Sequence, residues 1–463
     1  MRHRTELAIG IRLDRRARQP LREQLADQLC AAIDAGTLGH DSRLPSTRAL
    51  GARLGVSRGV PIAAYDLLFS RGYLAGRPGS GTYVTARPAP AAGAGPSLPA
   101  TLPRTASTQQ LDLTPGQACP EAFPLAAWRA AWRSASYRTP PPGPLPPLGL
   151  PHTRHALSVH LARTGRPVPA GYEVVVTAGT MHALRLVLGA LGGERGAVAV
   201  EDPAPPALRA AVAAVAGDVL PLPVDDQGAR IDTVGTACRA LVLSADAHVP
   251  LGHVLSAQRA AAVDAWAGRT GAHVIAIATD LVPRFDAAAP PQAAGTAPHV
   301  FVGGFDTLLT PALQLGYAVV PRELLSELAP QLVDGPECPS YLAQTAMAQL
   351  LLDGTVVRRM NRLGRILARK RQLVRVTLGS LCPAMELFGL DAPGTVGIRL
   401  PPGRHAVDAV VELARHGLLV HPLASYHNAP REAAEALVLG YSQLDDPALC
   451  QAMTRLVGVL ARS

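Results

Sequence analysis

The sequence is almost without lysine. Lys370 is the single lysine among 44 basic residues, and all the others are arginine. The chain is also rich in alanine, glycine and proline, a bias typical of coding in a GC-rich genome. Any chemistry that needs a side-chain primary amine, such as imine formation with an aldehyde, therefore has one candidate residue.

Cysteines and long apolar runs are scarce as well. The six cysteines lie far apart with no C-x-x-C pair, which excludes the usual zinc spacing and gives no disulfide framework. No run approaches the ~20 apolar residues of a membrane helix. The first residues, "MRHRTELAIGIRLDRRARQP", contain no apolar core of a signal peptide. We expect a cytoplasmic protein without a metal site and without a membrane partner.

Length and charge indicate more than one domain. With 463 residues, 48% of them apolar, the chain is expected to be globular, with about two or three domains. The net charge is +9, and residues 1–85 carry +6 of it, with 13 Arg against 7 Asp or Glu. A strongly basic N-terminal segment, here called the head, precedes a less basic remainder, here called the body. This distribution suggests that the head binds a polyanion, but it is equally compatible with charge that serves only solubility.

Helical periodicity opens the head. In "PLREQLADQLCAAIDAG" apolar residues recur four apart from Leu21 to Ile33, which predicts one buried helix face. Pro20 opens this helix and Gly36 closes it.

A second and a third helix and a hairpin follow. Ser46 is expected to cap a helix that ends at Leu54, Gly55 to form the tight turn, and Ser57 to cap the next helix. "GYLAGRPGSGTYV" predicts two short strands joined by a glycine-rich turn. Together these elements predict a winged helix-turn-helix over residues 1–85.

Such a module places the start of its last helix in the DNA major groove and touches phosphates with arginine, hydroxyl and amide groups. A helical hairpin whose arginines are merely solvated is the alternative. The candidate DNA contacts are Ser57, Arg58 and Gly59 at the helix start, Arg48 on the preceding helix, and Arg77, Gly79, Ser80 and Gly81 in the wing.

The stretches "LPSTR", "LGVSR" and "GSGTYV" resemble the GntR class of bacterial repressors. The sequence departs from that class at Val60 and Pro61, where a threonine and a β-branched residue are usual. Proline is tolerated in the first helical turn, whereas Val60 lacks a hydroxyl for phosphate. We expect a shifted operator sequence rather than lost binding.

Residues 86–110 form a Pro/Ala/Gly linker, beginning "ARPAPAAGAGPSLPATLPRTAS". An extended spacer of this length would let the head reach a partner subunit. Loose packing of the segment on its own body is equally compatible.

Residues 111–463 alternate apolar strands with helices. "EVVVTAG", "GAVAVEDP", "ALVLSAD" and "HVIAIATD" predict buried strands of an α/β fold with a mostly parallel sheet covered on both faces. A long helical pattern from 339 to about 379 leads to a smaller C-terminal α+β part. Ligands bind such sheets at the strands' carboxyl ends, where the turn 178–180 could cradle a phosphate or simply reverse the chain.

The order of these segments resembles fold-type I aminotransferases that use pyridoxal phosphate (PLP). The whole chain resembles the MocR subfamily of GntR regulators, through "DLTPGQACPEAFPLAAW", "VVVTAGTMHAL", "VEDPAPPAL" and "TPALQLGYAVVP". The resemblance implies PLP held covalently by a lysine, a small amine as effector, and a head-to-tail dimer.

The residues that the resemblance assigns to PLP are missing from this sequence. The family's Ser-Lys pair falls on Asp306 and Thr307, and threonine cannot form an imine. Lys370 lies in "RILARKRQL", and we expect it to be a solvated helix residue. The phosphate arginine, the ring-nitrogen acid, the ring-hydroxyl tyrosine and the substrate-carboxylate arginine are replaced by Gln314, Ile277, Thr279 and Val438.

We therefore expect no covalent PLP and no catalytic residues. The first hypothesis is a sequence-specific DNA-binding transcriptional regulator, dimeric, whose body serves dimerisation and is open to a non-PLP ligand. A regulator that binds PLP non-covalently is an alternative. An aminotransferase is a third reading, which the missing lysine disfavours.

Overall fold

The chain forms two compact units, Met1–Arg104 and Thr105–Ser463. The structure is a computed structural model that describes residues 10–15, 17, 19–77, 81–85, 110–191, 196–278, 299–334, 338–383, 385–429 and 434–461. The segment expected to be a linker, residues 86–110, is described only at its last residue.

The first unit has the order predicted for a winged helix-turn-helix. Three helices precede a two-stranded antiparallel hairpin in which Leu74 pairs with Val84. Leu25 and Leu29 of the first helix pack with Ala64 and Leu68 of the third in one apolar core. The elements are α1 Leu21–Asp34, α2 Thr47–Leu54, α3 Gly59–Ser70, β1 Leu74–Arg77 and β2 Gly81–Val84.

The helix boundaries in this unit follow local capping chemistry, with one exception. The Ser46 hydroxyl accepts a hydrogen bond from the Ala49 amide at 3.2 Å, and Gly55 ends α2 in the left-handed conformation. The prediction that Ser57 caps α3 through its side chain is wrong, because Arg58 holds the N-cap position and the backbone carbonyl of Ser57 accepts from Val60.

The second unit is built on an eight-stranded sheet in the order β4-β11-β10-β9-β8-β5-β6-β7. Strands β5, β6, β8, β9 and β10 pair in parallel, whereas β11 runs antiparallel to both of its neighbours. The predicted mostly parallel sheet is thus confirmed. A short β3 Leu111–Asp112 precedes the strands β4 Tyr172–Thr177, β5 Ala197–Asp202, β6 Val219–Asp225, β7 Gly228–Ala229, β8 Cys238–Ser244, β9 His273–Ala278, β10 His299–Gly304 and β11 Gly316–Pro321.

Helices cover both faces of this sheet. One core packs strand residues against α6 and α7, and another packs them against α8 through Trp266. This two-sided burial explains the nearly continuous apolar strands. The helices are α4 Leu125–Ser136, α5 Pro151–Arg163, α6 Thr180–Ala190, α7 Pro206–Ala213, α8 Ala257–Thr270 and α9 Leu325–Asp334.

The predicted long helical pattern consists of two helices, because Gly354 interrupts it with a φ of 77°. The second helix leads to a four-stranded antiparallel sheet in the order β12-β13-β16-β15. In the described part of the chain, no helix combines the length and apolar character needed to cross a membrane. The elements are α10 Tyr341–Leu352, α11 Thr355–Leu381, β12 Leu387–Phe388, β13 Thr395–Arg399, α12 Ala406–Arg415, β14 Leu418–Leu419, β15 His421–Pro422, β16 Ala436–Gly440 and α13 Asp446–Leu460.

Candidate nucleic-acid interface and candidate ligand site

The start of α3 presents small and cationic groups to solvent. Ser57, Arg58 and Gly59 are all exposed, and so is Arg48 in the first turn of α2. Within the described residues, neither the Arg48 nor the Arg58 guanidinium has an ion-pair partner. Both cations are therefore available to an external anion.

Close packing of α2 on α3 sets the angle at which this face is held. A Cβ on Gly51 would lie 3.3 Å from the Val56 carbonyl oxygen and 3.7 Å from Cγ of Pro61. Pro61 is buried in the first turn of α3, where a missing amide hydrogen leaves no helix bond unmade. The Tyr65 hydroxyl donates to the Pro45 carbonyl at 2.8 Å and ties α3 to the segment before α2.

A cation that the sequence patterns did not reveal lies beside the wing. Gly81 is exposed with a φ of 125°, and a Cβ there would come 3.1 Å from Nε of Arg43. Arg43 pairs with Tyr83 of β2, and this pairing places its exposed guanidinium beside the hairpin. Arg77 is the last residue of β1, and the predicted contacts Gly79 and Ser80 lie outside the described residues.

Other arginines of the head serve its fold. Arg15 donates to the carbonyl oxygen of Gly55 at 2.6 Å and so holds the turn between α2 and α3. Arg71 pairs with Asp27 at 3.1 Å and joins α3 to α1. The positive charge of this unit is thus divided between internal contacts and an open face.

At the carboxyl edge of the large sheet, a compact turn joins β4 to α6. The Thr177 hydroxyl donates to the Gly179 carbonyl at 3.1 Å. The Ala178 amide donates to Nδ1 of His182 at 2.9 Å, so this histidine caps the turn with an unprotonated Nδ1. Gly179 adopts a φ of 93° immediately before the first residue of α6.

The turn after β10 carries a carboxylate to the same place. The Thr180 hydroxyl donates to Oδ2 of Asp306 at 3.3 Å, although the two residues lie 126 positions apart. Burial raises the pKa of Asp306, and hydrogen bonds from the side chain and backbone of Thr180 offset part of that rise. Thr307, at the position that the family gives to lysine, is half-buried in this turn.

The other positions assigned to PLP contain uncharged groups. Gln314 is exposed in the left-handed conformation with a φ of 48°. Ile277 of β9 is 2% exposed within an apolar core, and Val438 of β16 packs with Leu423 and Tyr426. Thr279 lies outside the described residues.

Lys370 is not a solvated residue, and that expectation was wrong. Its side chain is 0% exposed on the inner face of α11. The ammonium lies 2.7 Å from Oε1 of Glu121 and donates to the carbonyl oxygens of Ser442 at 3.0 Å and Leu444 at 2.6 Å. These contacts join α11 to the segments that contain Glu121, Ser442 and Leu444.

A buried arginine on the same helix holds the turn after β10. The Arg359 guanidinium donates to the carbonyl oxygens of Leu308, Cys119 and Glu121. Phe305 and Leu308 of the turn are themselves buried in the main apolar core. Packing and hydrogen bonding therefore hold the turn after β10 in place. The basic sequence of α11 did not indicate that Arg359 would be buried.

His248, in the turn after β8, is structural. Its Nε2 donates to the Pro203 carbonyl at 2.8 Å, and burial lowers its pKa, which favours the neutral ring. The neighbouring Glu201 carboxylate accepts from the amide and the hydroxyl of Ser244 at 2.8 and 2.7 Å. This network joins β5 to β8 at the sheet edge.

Comparison with known proteins agrees with this architecture. A profile of the family "Bacterial regulatory proteins, gntR family" matches residues 21–84. The pyridoxine biosynthesis transcriptional regulator PdxR of Corynebacterium glutamicum is 30% identical, covering 92% of this chain and 93% of that protein. The probable rhizopine catabolism regulator MocR of Rhizobium meliloti is 28% identical over 96% and 94%, and the vitamin B6 salvage repressor PtsJ of Salmonella typhimurium is 27% identical over 86% and 89%.

Solved structures show the fold of the second unit. Kynurenine aminotransferase of Pyrococcus horikoshii matches with a TM-score of 0.69 and 17% identity, covering 77% of this chain and 92% of that one. A multiple-substrate aminotransferase of Thermococcus profundus matches with a TM-score of 0.68, 16% identity and the same coverage. The chain belongs to the MocR-type GntR family, and it is a DNA-binding transcriptional regulator with an aminotransferase-like domain.

Proposed function

We propose that this protein is a non-enzymatic, homodimeric cytoplasmic regulator that reads its operator with the start of α3 and grips the flanking phosphates with Arg48 and the wing. The observation that carries this proposal is the exposed face of Ser57, Arg58 and Gly59, where Arg58 and the nearby Arg48 lack internal ion-pair partners in the described residues. Small residues at the helix start let the backbone approach base edges, and arginine can bind guanine through two hydrogen bonds.

Sequencing of DNA fragments captured by the purified protein tests the proposal. One operator sequence should be enriched, and Arg58→Ala should weaken binding to it by about 1–3 kcal/mol and relax its sequence preference. Arg48→Ala should weaken all sequences alike and reduce the salt dependence by about one counterion.

Arg365→Ala is the matched control, because Arg365 is an exposed arginine on α11 of the second unit. It removes the same charge and should leave operator affinity nearly unchanged. Equal losses in all three variants would show a non-specific charge effect and would refute reading by α3.

We also propose that the body holds no covalent PLP. A covalent link needs a free amine, and Lys370 is the only lysine of the chain. Its buried ammonium forms an ion pair with Glu121 and donates to the carbonyl oxygens of Ser442 and Leu444, and position 307, in the turn after β10, is a threonine. The residues present do not fit a covalently bound cofactor.

An exposed apolar surface supports self-association of the body. Tyr137, at the end of α4, is 84% exposed, and Leu342, at the start of α10, is exposed as well. The Tyr341 hydroxyl lies 3.5 Å from the Thr139 carbonyl oxygen, which brings these two helix ends together. Contiguous exposed apolar patches are a feature of interaction surfaces in folded proteins.

A response to non-covalent PLP is the second candidate. Two relatives, PdxR and PtsJ, are named for pyridoxine biosynthesis and vitamin B6 salvage, which favours a vitamin B6 ligand. A reversible change of operator affinity on adding PLP, without a borohydride-stable adduct, would support this candidate. Unchanged affinity at saturating PLP would eliminate it.

A further inference from the structure

The N-terminus of α6 has the geometry of an anion site. The first amides of an α-helix have no partner within the helix, and together with the helix dipole they attract negative charge. Helix α6 has 11 residues, begins at Thr180 directly after Gly179, and lies at the carboxyl edge of the sheet, where ligands of such folds bind.

In this protein a carboxylate of the chain already occupies that position. Oδ2 of Asp306 accepts from the Thr180 hydroxyl at 3.3 Å, and the Thr180 backbone also hydrogen-bonds to this carboxylate. Oδ1 of Asp306 lies 3.8 Å from the point that a Cβ on Gly179 would occupy. One side chain therefore hydrogen-bonds to the first residue of α6 and lies beside the glycine that precedes it.

The backbone around this carboxylate is tightly packed. A Cβ on Gly316 would come 2.6 Å from the carbonyl carbon of Gly179 and 2.7 Å from the carbonyl oxygen of Gly303. A Cβ on Gly304 would come 2.4 Å from the Thr180 hydroxyl. Close backbone packing thus joins the end of β10, the start of β11 and the turn before α6. This packing fixes the position of Asp306.

We propose that Asp306 is a built-in anion that occupies the phosphate position at the start of α6, so that the body selects against phosphorylated ligands and admits uncharged or cationic ones. The inference deepens the proposed function and rests on its claim that the body holds no covalent PLP. It identifies Asp306 as the residue that determines which class of ligand the body binds.

Charge gives the physical reason for this selection. Two anions that share one site in a medium of low dielectric constant repel each other, which disfavours the second. Burial already raises the pKa of Asp306 despite its bonds to Thr180, so these donors do not fully compensate even one carboxylate. Gln314 supplies no positive charge to balance an added phosphate.

The test compares pyridoxine 5′-phosphate with pyridoxine, which differ by the phosphate and lack the aldehyde that reacts with amines. Calorimetry on the full-length protein should show no advantage of the phosphorylated compound for the wild type. Asp306→Ser and the nearly isosteric Asp306→Asn should each gain affinity for it by about tenfold or more. Phosphorus NMR with inorganic phosphate provides a second readout.

Asp408→Asn is the matched control, because Asp408 is an exposed acid in the first turn of α12. It should leave phosphate affinity unchanged. A wild-type preference for the phosphorylated compound would overturn the inference, and so would the absence of any gain in both folded Asp306 variants. Operator binding measured on the same samples tests the proposed function separately, since its loss would leave the phosphate result standing.

Discussion

At the scale of single residues, the charged side chain of Asp306 lowers the stability of the second unit at neutral pH. Burial raises its pKa in the folded state, so its contribution to stability is fully present below the unfolded pKa and is lost as pH rises through the folded value. Asp306→Asn, which stays neutral, should therefore raise Tm at pH 7 by on the order of 1 °C and change it little at pH 3.5. Thermal melts at the two pH values check this, and a lower Tm of the variant at pH 7 would contradict it.

Lys370 makes a larger and opposite contribution. Burial raises the pKa of Glu121, but hydrogen bonds from Lys370 and Arg369 lower it by more, so the ion pair stabilises the fold above the unfolded pKa of Glu121 and fades as pH falls through the folded one. Lys370→Ala removes one of the two cations beside Glu121, which keeps Arg369, and leaves the carbonyl oxygens of Ser442 and Leu444 without this donor. It should cost about 2 kcal/mol at pH 7, less than a fully buried pair because the Glu121 side chain is 28% exposed.

Urea unfolding measures this loss, and Arg365→Ala on the same helix is its control. Arg365 is exposed, so its removal should change the free energy of unfolding by no more than about 0.5 kcal/mol. Equal effects of the two substitutions would mean that Lys370 is as solvated as its sequence context suggested.

At the scale of elements, the α2–α3 crossing depends on Gly51. Its Cβ position is 3.3 Å from the Val56 carbonyl oxygen, so Gly51→Val forces the two helices apart at a cost of about 2 kcal/mol. We expect a destabilised head and at least a tenfold loss of operator affinity. Gly379→Val, on an exposed helix position with nothing within 4 Å, is the control and should preserve both.

Sequence patterns predicted most elements because each carries local information. Ser46 and Gly55 bound α2 through a cap and a left-handed turn, and the apolar runs of the large sheet read as two-sided burial. The misses have physical causes. Gly354 breaks a pattern that looks continuous, because helical periodicity resumes after one left-handed residue. Lys370 was misplaced because burial of a charge depends on partners distant in sequence, here Glu121 and Ser442.

The candidate sites were predictable to different degrees. Exposure at Arg48 and Arg58 followed from helix-turn-helix geometry, whereas Arg43 is revealed only by the pairing of its segment with the hairpin. The absence of a lysine at Thr307 was plain from the sequence. The contact of Asp306 with Thr180 was not, since it joins segments 126 residues apart.

At the scale of the whole molecule, the body should form the dimer. Burying Tyr137 and Leu342 in a subunit interface removes exposed apolar area from water. The double substitution Tyr137→Glu, Leu342→Glu should convert the dimer to a monomer at micromolar concentration in analytical ultracentrifugation. Val333→Glu, at another exposed apolar position on α9, should leave the dimer intact. If the double variant and the Val333→Glu control both lost the dimer, or if both kept it, the interface would not be at Tyr137 and Leu342.

The central claim is that a regulator with an aminotransferase-like body works without a tethered cofactor. The most direct test adds PLP to the purified protein, reduces with borohydride and maps any modified peptide by mass spectrometry. The account predicts an unmodified Lys370 in protein that still binds its operator. A pyridoxyl phosphate group recovered on Lys370 would contradict it.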